Sequence, residues 1–310
     1  MDATEISFGI LFLLQISTGV SVNGFLLLFY THMVSTSQKF SSSDLILSHL
    51  ALANTIALLT LGIPETMSVC GLRNFLNNVG CKILFYFYRV GRGLAICTTC
   101  LLSVFQAITI SPGTARWAGA KVKLYKCILP SCILFWILNM LVEFDRVMNM
   151  TGPQNSSSLQ SPMDYKYCSR LSLSAVTTLV YAVALSLQDL VFVGLMSTAS
   201  GYMVFVLHRH HRRVQHLHKP SNSPRVMPEV IAAKRVIALV TLFVLLYGRQ
   251  SVMLNIIMNM KEKSPLLLNS HMVFAHTFAA LSPCLVIHSD RRMRMFWKRE
   301  SAASNIDSSS

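Results

Sequence analysis

Charge is scarce in this chain, and negative charge is scarcest. Asp, Glu, Lys and Arg make up 13% of the 310 residues, and 13 acids stand against 27 bases, a formal net charge of +14. With 53% hydrophobic residues and a mean hydropathy of +0.50, the chain reads as one solvated largely by lipid, and its polar remainder is too short for a separate soluble domain. Other absences narrow the function. No set of Ser, His, Cys or acidic residues recurs at a spacing that would assemble a nucleophile, a base or a metal site, so nothing points to an enzyme or a cofactor. The internal repeat that transporters carry is missing. So are the filter-like loop and the ring of acids that a channel would want. The excess of base would suggest nucleic acid in a soluble protein, but here its distribution between loops accounts for it.

What the chain does have is seven long apolar runs, roughly 6–32, 45–68, 81–110, 125–144, 171–207, 230–258 and 266–288. A helix rises about 1.5 Å per residue, so about 20 apolar residues cross a hydrocarbon layer of about 30 Å, and each run is long enough. The expectation is an all-α membrane protein: a seven-transmembrane helix bundle forming one domain over 1–288, with 289–310 as its tail. Lys and Arg set the orientation, because short cytoplasmic loops retain them. With Lys126, Lys234, Arg235 and Lys82 at the run ends counted with the loops they adjoin, seventeen of the 27 lie on the side of the first, third and fifth loops and the C-terminal tail, against seven on the other side. The N-terminus is therefore read as outside and the C-terminus as inside, with the first run an uncleaved signal-anchor.

Both Asn-x-Ser/Thr sequons, at Asn149 and Asn155, fall in the loop after the fourth run, on the side assigned as outer. Asn155 is the better placed for a glycan, since Asn149 lies close to the membrane end of that run. Of the eight cysteines, Cys81 opens the third run and Cys168 closes the same outer loop. A bridge between them would pin that loop over the bundle, and two free thiols are the alternative. Cys97 and Cys100 have the spacing of a metal or redox pair, but they sit at membrane depth with no nearby His or acid. Packing is the reading for them and for Cys127, Cys132 and Cys284.

The stretch from Gly80-Cys81-Lys82 through Arg89-Val90-Gly91-Arg92-Gly93, and on from Thr98 to Pro112, resembles the third helix of vomeronasal type-1 receptors. So does Asp44 to Asn54 with Gly62-Ile63-Pro64, and further matches follow at Ala199 to Phe205, Arg213 to His216, Ser223 to Arg225 and Ser282-Pro283. The resemblance covers nearly the whole chain. It implies a rhodopsin-like chemosensory receptor of the plasma membrane, binding a small pheromone or odour molecule from outside and activating a heterotrimeric G protein of the inhibitory class. A bitter-taste-type receptor shares that architecture, and a small-solute transporter is the alternative of another class. Cys81 with Cys168 and the third-helix match favour the vomeronasal family. Most rhodopsin-like receptors end helix three with an acidic-Arg pair, whereas this chain has Val104-Phe105-Gln106-Ala107, so no ionic latch can form there. Ser282-Pro283-Cys284 stands in place of an Asn-Pro-x-x-Tyr pattern. Both departures are usual in the vomeronasal family. Gly113 follows Pro112 where the family usually has a basic residue. Between Ser264 and Ser289 there is no Lys to hold retinal, which disfavours a light receptor.

Charges within the apolar runs are the sharpest signal, because each costs at least about 2.5 kcal/mol at the bilayer centre unless paired or hydrated. Arg89 and Arg92 share a face of helix three. Glu65 lies near the outer end of helix two, Asp189 near the middle of helix five, and Arg249 in the outer part of helix six. Our expectation is a ligand pocket lined or supported by these five, with Glu65 and Asp189 partnering the arginines and Tyr247, Gln250, Phe274 and His276 as wall groups. The competing reading is an ion-pair network that fixes helix packing and never touches ligand. On the inner side, the basic His208 to Lys219 tract extends helix five. Gln106, Arg212, Arg213, Lys234 and Arg235 are expected to face the G protein, while basic residues on solvated helix ends also suit anionic membrane lipids. Ser289-Asp290 can cap a short amphipathic segment on the membrane surface, with a polar tail after it and no Cys for palmitoylation.

Overall fold

In a hydrocarbon solvent every backbone N–H and C=O must find its partner within the protein, and an α-helix pairs them within its own segment. The computed structural model describes residues 3–36, 41–69, 71–72, 75–111, 115–148, 150–152, 167–170, 175–217, 228–259, 265–290 and 292–293. Within them the chain forms α1 (Ala3–Ser35), α2 (Ser42–Val69), α3 (Asn78–Ile110), α4 (Ala115–Val147), α5 (Ala175–Leu217), α6 (Pro228–Asn259) and α7 (Pro265–Ser289). A minimal antiparallel pair, β1 (Met150–Thr151) and β2 (Ser169–Arg170), sits between α4 and α5. Each of the seven helices is long and apolar enough to cross a membrane.

Several helices outrun the apolar runs that announce them. α4 begins at Ala115, so Arg116, Lys121, Lys123 and Lys126 belong to a helix rather than to the loop before it. α5 carries the basic tract from His208 as far as Leu217. Lys and Arg are good helix formers, and a nucleated helix continues past the point where lipid gives way to water. Hydropathy therefore marks the lipid-embedded part of a helix and not its end. Residues 171–174, Asn149 and Asn155 lie outside the described residues.

α3 is the central strut, packed against α2, α4, α5 and α6. Nearly all of it from Val90 to Ala107 is buried, including the polar Thr98, Thr99, Ser103 and Gln106. The three hydroxyls return to carbonyls one turn back, at 2.6 Å (Thr98 to Leu94), 2.7 Å (Thr99 to Ala95) and 2.8 Å (Ser103 to Thr99). No hydroxyl proton among these three is thus left unpaired in an apolar interior. The approach of α2 to α3 is set by Gly91, where a Cβ would meet the Ala53 carbonyl oxygen at 2.9 Å and the Ala57 nitrogen at 3.1 Å. α1 closes against α2 and α7, and α6 bridges α7 and α5. By contrast α4 and α5 expose leucine, isoleucine and valine along most of their length, a surface that lipid covers.

Candidate functional site

One end of the bundle is built around Cys81. Asn77 caps α3 by accepting a hydrogen bond from the Gly80 N–H at 2.7 Å, which fixes the first turn and the position of Cys81. Cys81 is joined to Cys168 by a disulfide, with Cα atoms 5.9 Å apart. The Gly152 N–H donates to the Asn78 side-chain oxygen at 2.7 Å, so the β1 end of the loop is tied to the same turn. Tyr167 and Cys168 are buried against Phe12, Leu61, Phe85 and Met272, and Tyr167 packs on the Phe75 ring at 5.7 Å. Residues 150–152 and 167–170, the described parts of the segment between α4 and α5, are thereby held against this end of the bundle.

Beneath it a cavity opens between α2, α3, α6 and α7. Helical spacing puts its walls in register: Tyr88, Arg92 and Ala95 on α3, Phe243, Tyr247 and Gln250 on α6, and Ala275, Phe278 and Ala279 on α7 each recur about one turn apart along one face. His276 and Phe274 complete the α7 wall, and Asn54 of α2 closes the deep end. Asn54 donates to the Ser282 hydroxyl at 3.0 Å and to the Asn23 side-chain oxygen at 3.4 Å, and Asn23 donates to the Ala279 carbonyl at 3.0 Å. This buried network locks α1, α2 and α7 together under the cavity. The Nδ1–H of His276 donates to the Met272 carbonyl at 2.9 Å, and its ring packs edge-on to Phe12.

Five of the nine residues expected in the pocket line this cavity: Arg92, Tyr247, Gln250, Phe274 and His276. Asp189 stands directly behind them. It accepts a hydrogen bond from the Tyr247 hydroxyl at 2.8 Å and lies 3.9 Å from the Arg92 guanidinium, so α5, α6 and α3 meet at one carboxylate. The guanidinium of Arg249 stacks on the Phe274 ring, 3.1 Å from its centroid, and so backs the α7 wall from outside the cavity. Glu65 is half-buried at the end of α2 and is not among the lining residues. The expected partnership of both arginines with Glu65 and Asp189 needs correcting for Arg89, which pairs with Glu143 of α4 at 3.2 Å. Although only three residues from Arg92, Arg89 is turned far enough around α3 to meet α4 instead of the cavity. Sequence reasoning passes over Glu143, though an acid inside an apolar run is itself a signal.

The other end of the bundle carries a second polar assembly. Asp44 at the start of α2, Arg235 near the start of α6, and Asp290 and Arg292 just after α7 form one charge cluster. Arg292 donates to Asp44 at 2.8 and 3.3 Å and to Asp290 at 3.1 Å, and Asp290 also caps the turn by accepting the Arg292 N–H at 2.9 Å. Burial alone would raise the Asp290 pKa, but the hydrogen bonds from Arg292 and the charges of Arg292 and Arg235 outweigh it and hold the carboxyl below its usual range. Of the residues expected to face a partner here, Arg212 and Lys234 are exposed, and the Arg213 side chain lies outside the described residues. Gln106 is turned inward, 3% exposed, and donates to the Ser43 hydroxyl at 3.0 Å. Among the described residues no group of His, Cys, Asp and Glu is placed to hold a metal ion.

The sequence profile of the vomeronasal organ pheromone receptor family matches residues 6–299. Vomeronasal type-1 receptor 3 of Homo sapiens is 42% identical over 242 residues, covering 78% of each chain. Vomeronasal type-1 receptor 4 of Homo sapiens is 38% identical over 288 residues, 92% of this chain and 96% of the relative. Olfactory receptor class A-like protein 1 of Danio rerio is 33% identical over 295 residues, 95% of this chain and 92% of the relative. A seven-helix bundle with a disulfide from the start of α3 to the segment before α5 agrees with these likenesses, and the chain belongs to the vomeronasal organ pheromone receptor family: a multi-pass membrane protein, a chemosensory receptor and not an enzyme.

Proposed function

We propose that this receptor works at the plasma membrane, with the disulfide end outside, and takes a small pheromone or odour molecule into the cavity between α2, α3, α6 and α7. The ligand-bound bundle then activates a heterotrimeric G protein of the inhibitory class at the opposite, cytoplasmic end. The observation that carries this reading is the convergence of Arg92, Tyr247, Gln250, Phe274 and His276, from three helices, on one cavity beneath the disulfide end. Aromatic walls suit an apolar ligand body, and the few polar groups among them orient it. Asp189 holds Tyr247 and neutralises Arg92, while Arg249 stiffens Phe274. Arg89 supports the cavity indirectly, by fixing α3 to α4 through Glu143, and Glu65 stands at the end of α2 outside the lining. Glycans on Asn149 and Asn155 would lie on the same outer side. At the cytoplasmic end Arg212, Arg213 and Lys234 frame the cleft for the G protein, and Gln106 and Arg235 join it when the bundle opens. Basic residues beside the cleft also attract anionic membrane lipids.

The test is nucleotide exchange on an inhibitory-class G protein, in membranes displaying the chain, against fractionated conspecific secretions. Phe274→Ala and Gln250→Ala should each shift the dose response about tenfold at equal surface labelling, the loss of about 1.4 kcal/mol of binding. Unshifted responses in both variants and in Arg249→Leu would remove this cavity as the ligand site. Solute flux without exchange would instead favour a transporter.

A further inference from the structure

We propose that Arg235 and Asp290 form the latch that keeps α6 against the end of α7 in the ligand-free receptor, and that its release opens the cytoplasmic cleft. The proposal rests on the reading of that end as the coupling face. α3 lacks the acid-Arg pair that could hold α6, and its Gln106 is engaged with Ser43 of α2. Among the described residues, the start of α6 is tied to its neighbours by charge through Arg235 Nη2 to Asp290 Oδ2, at 3.6 Å, with side chains only 10% and 6% exposed.

The cluster is asymmetric, which distinguishes a latch from a staple. Arg292 binds Asp44 and Asp290 together through four side-chain hydrogen bonds of 2.8–3.4 Å and so joins α2 to the segment after α7. Asp290 is therefore still paired with Arg292 after Arg235 leaves. Opening strands no buried acid, and only Arg235 changes partner. Arg235 is also the loosest member, since its contact is the longest of the three ion pairs and its Nε has no hydrogen-bond partner within the described residues. It stands beside exposed Lys234 in the second turn of α6, where a modest outward swing brings its head to water or lipid headgroups.

Two readouts test this on the full chain in lipid nanodiscs. One is nucleotide exchange without any ligand. The other is the spin-label distance between Lys234→Cys and His288→Cys, both exposed positions, with Cys70, Cys127 and Cys284 replaced by Ser. Asp290→Asn and Arg235→Gln should each raise ligand-free exchange about threefold or more and lengthen the distance. Arg292→Gln should do neither, because it leaves Asp290 to Arg235 alone. That contrast excludes general loosening, since Arg292→Gln removes more hydrogen bonds than either latch variant. Wild-type exchange and distances in Asp290→Asn and Arg235→Gln would overturn the latch, as would an equal rise in Arg292→Gln. A lengthened distance with no exchange under any stimulus would uphold the latch and defeat the coupling reading.

Discussion

Replacing Arg292 by Gln should destabilise the bundle by about 2 kcal/mol. The Asp44 side chain is 2% exposed, and its carboxylate is held by Arg292 at 2.8 and 3.3 Å and by the Ser41 N–H at 2.9 Å. Without the guanidinium, a buried charge keeps one backbone donor. Removing one partner of a buried pair costs about 3–5 kcal/mol. Arg292 is 45% exposed, so water screens part of the interaction and lets the carboxylate recover some hydration, which brings the loss down to about 2 kcal/mol. The fold contains its own reporter, because Cys97, Cys100 and Cys132 are buried and react with a thiol dye only when the bundle opens, once Cys70, Cys127 and Cys284 are replaced by Ser. The thermal midpoint should fall by about 5 °C in Arg292→Gln. In the double variant with Asp44→Asn much of the loss should return, since the neutral amide no longer needs the cation. Additive losses, or a midpoint within about 1 °C of wild type, would refute the staple.

Helix packing, the disulfide and the buried acid can each be probed separately. Gly91→Val should cost about 1–3 kcal/mol on the same assay, because its Cβ meets backbone of α2 rather than a side chain that can turn away. Cys81→Ser should lower stability by about 2–4 kcal/mol and release the segment between α4 and α5, measured as its cleavage by protease. Since the Asp290 carboxyl is depressed in the folded state, its contribution is fully present above the unfolded value near 3.8 and is lost as pH falls through the lower folded value. The thermal midpoint should therefore drop below about pH 4, with a shallower drop in Asp290→Asn; equal slopes would show that Asp290 contributes nothing to it.

Single-residue patterns carry the fold a long way. Seven apolar runs become seven helices, and Cys81 with Cys168 becomes the bridge over them, because lipid solvation and a loop-closing cysteine pair each leave a local trace. The pocket is legible in part, since aromatic and polar residues facing one side of α6 and α7 share a helical period. Relations between helices have no such trace. Whether Arg89 meets Glu65 or Glu143 depends on how α3 is rotated, which neither helix encodes alone. The cluster of Asp44, Arg235, Asp290 and Arg292 joins residues up to 248 positions apart, and no local pattern reports a contact over that separation. Helix ends escape hydropathy wherever charged residues prolong a helix beyond the lipid, as in α4.

The most direct test of ligand capture in the cavity is ligand-dependent nucleotide exchange in wild-type and Phe274→Ala membranes, matched by surface labelling, on an inhibitory-class G protein. Exchange stimulated by a small-molecule fraction, absent from empty membranes and shifted about tenfold to higher concentration in Phe274→Ala, is the predicted result. A response identical in both receptors would contradict the cavity as the ligand site, and no response to any fraction from receptors on the surface would contradict the proposed coupling.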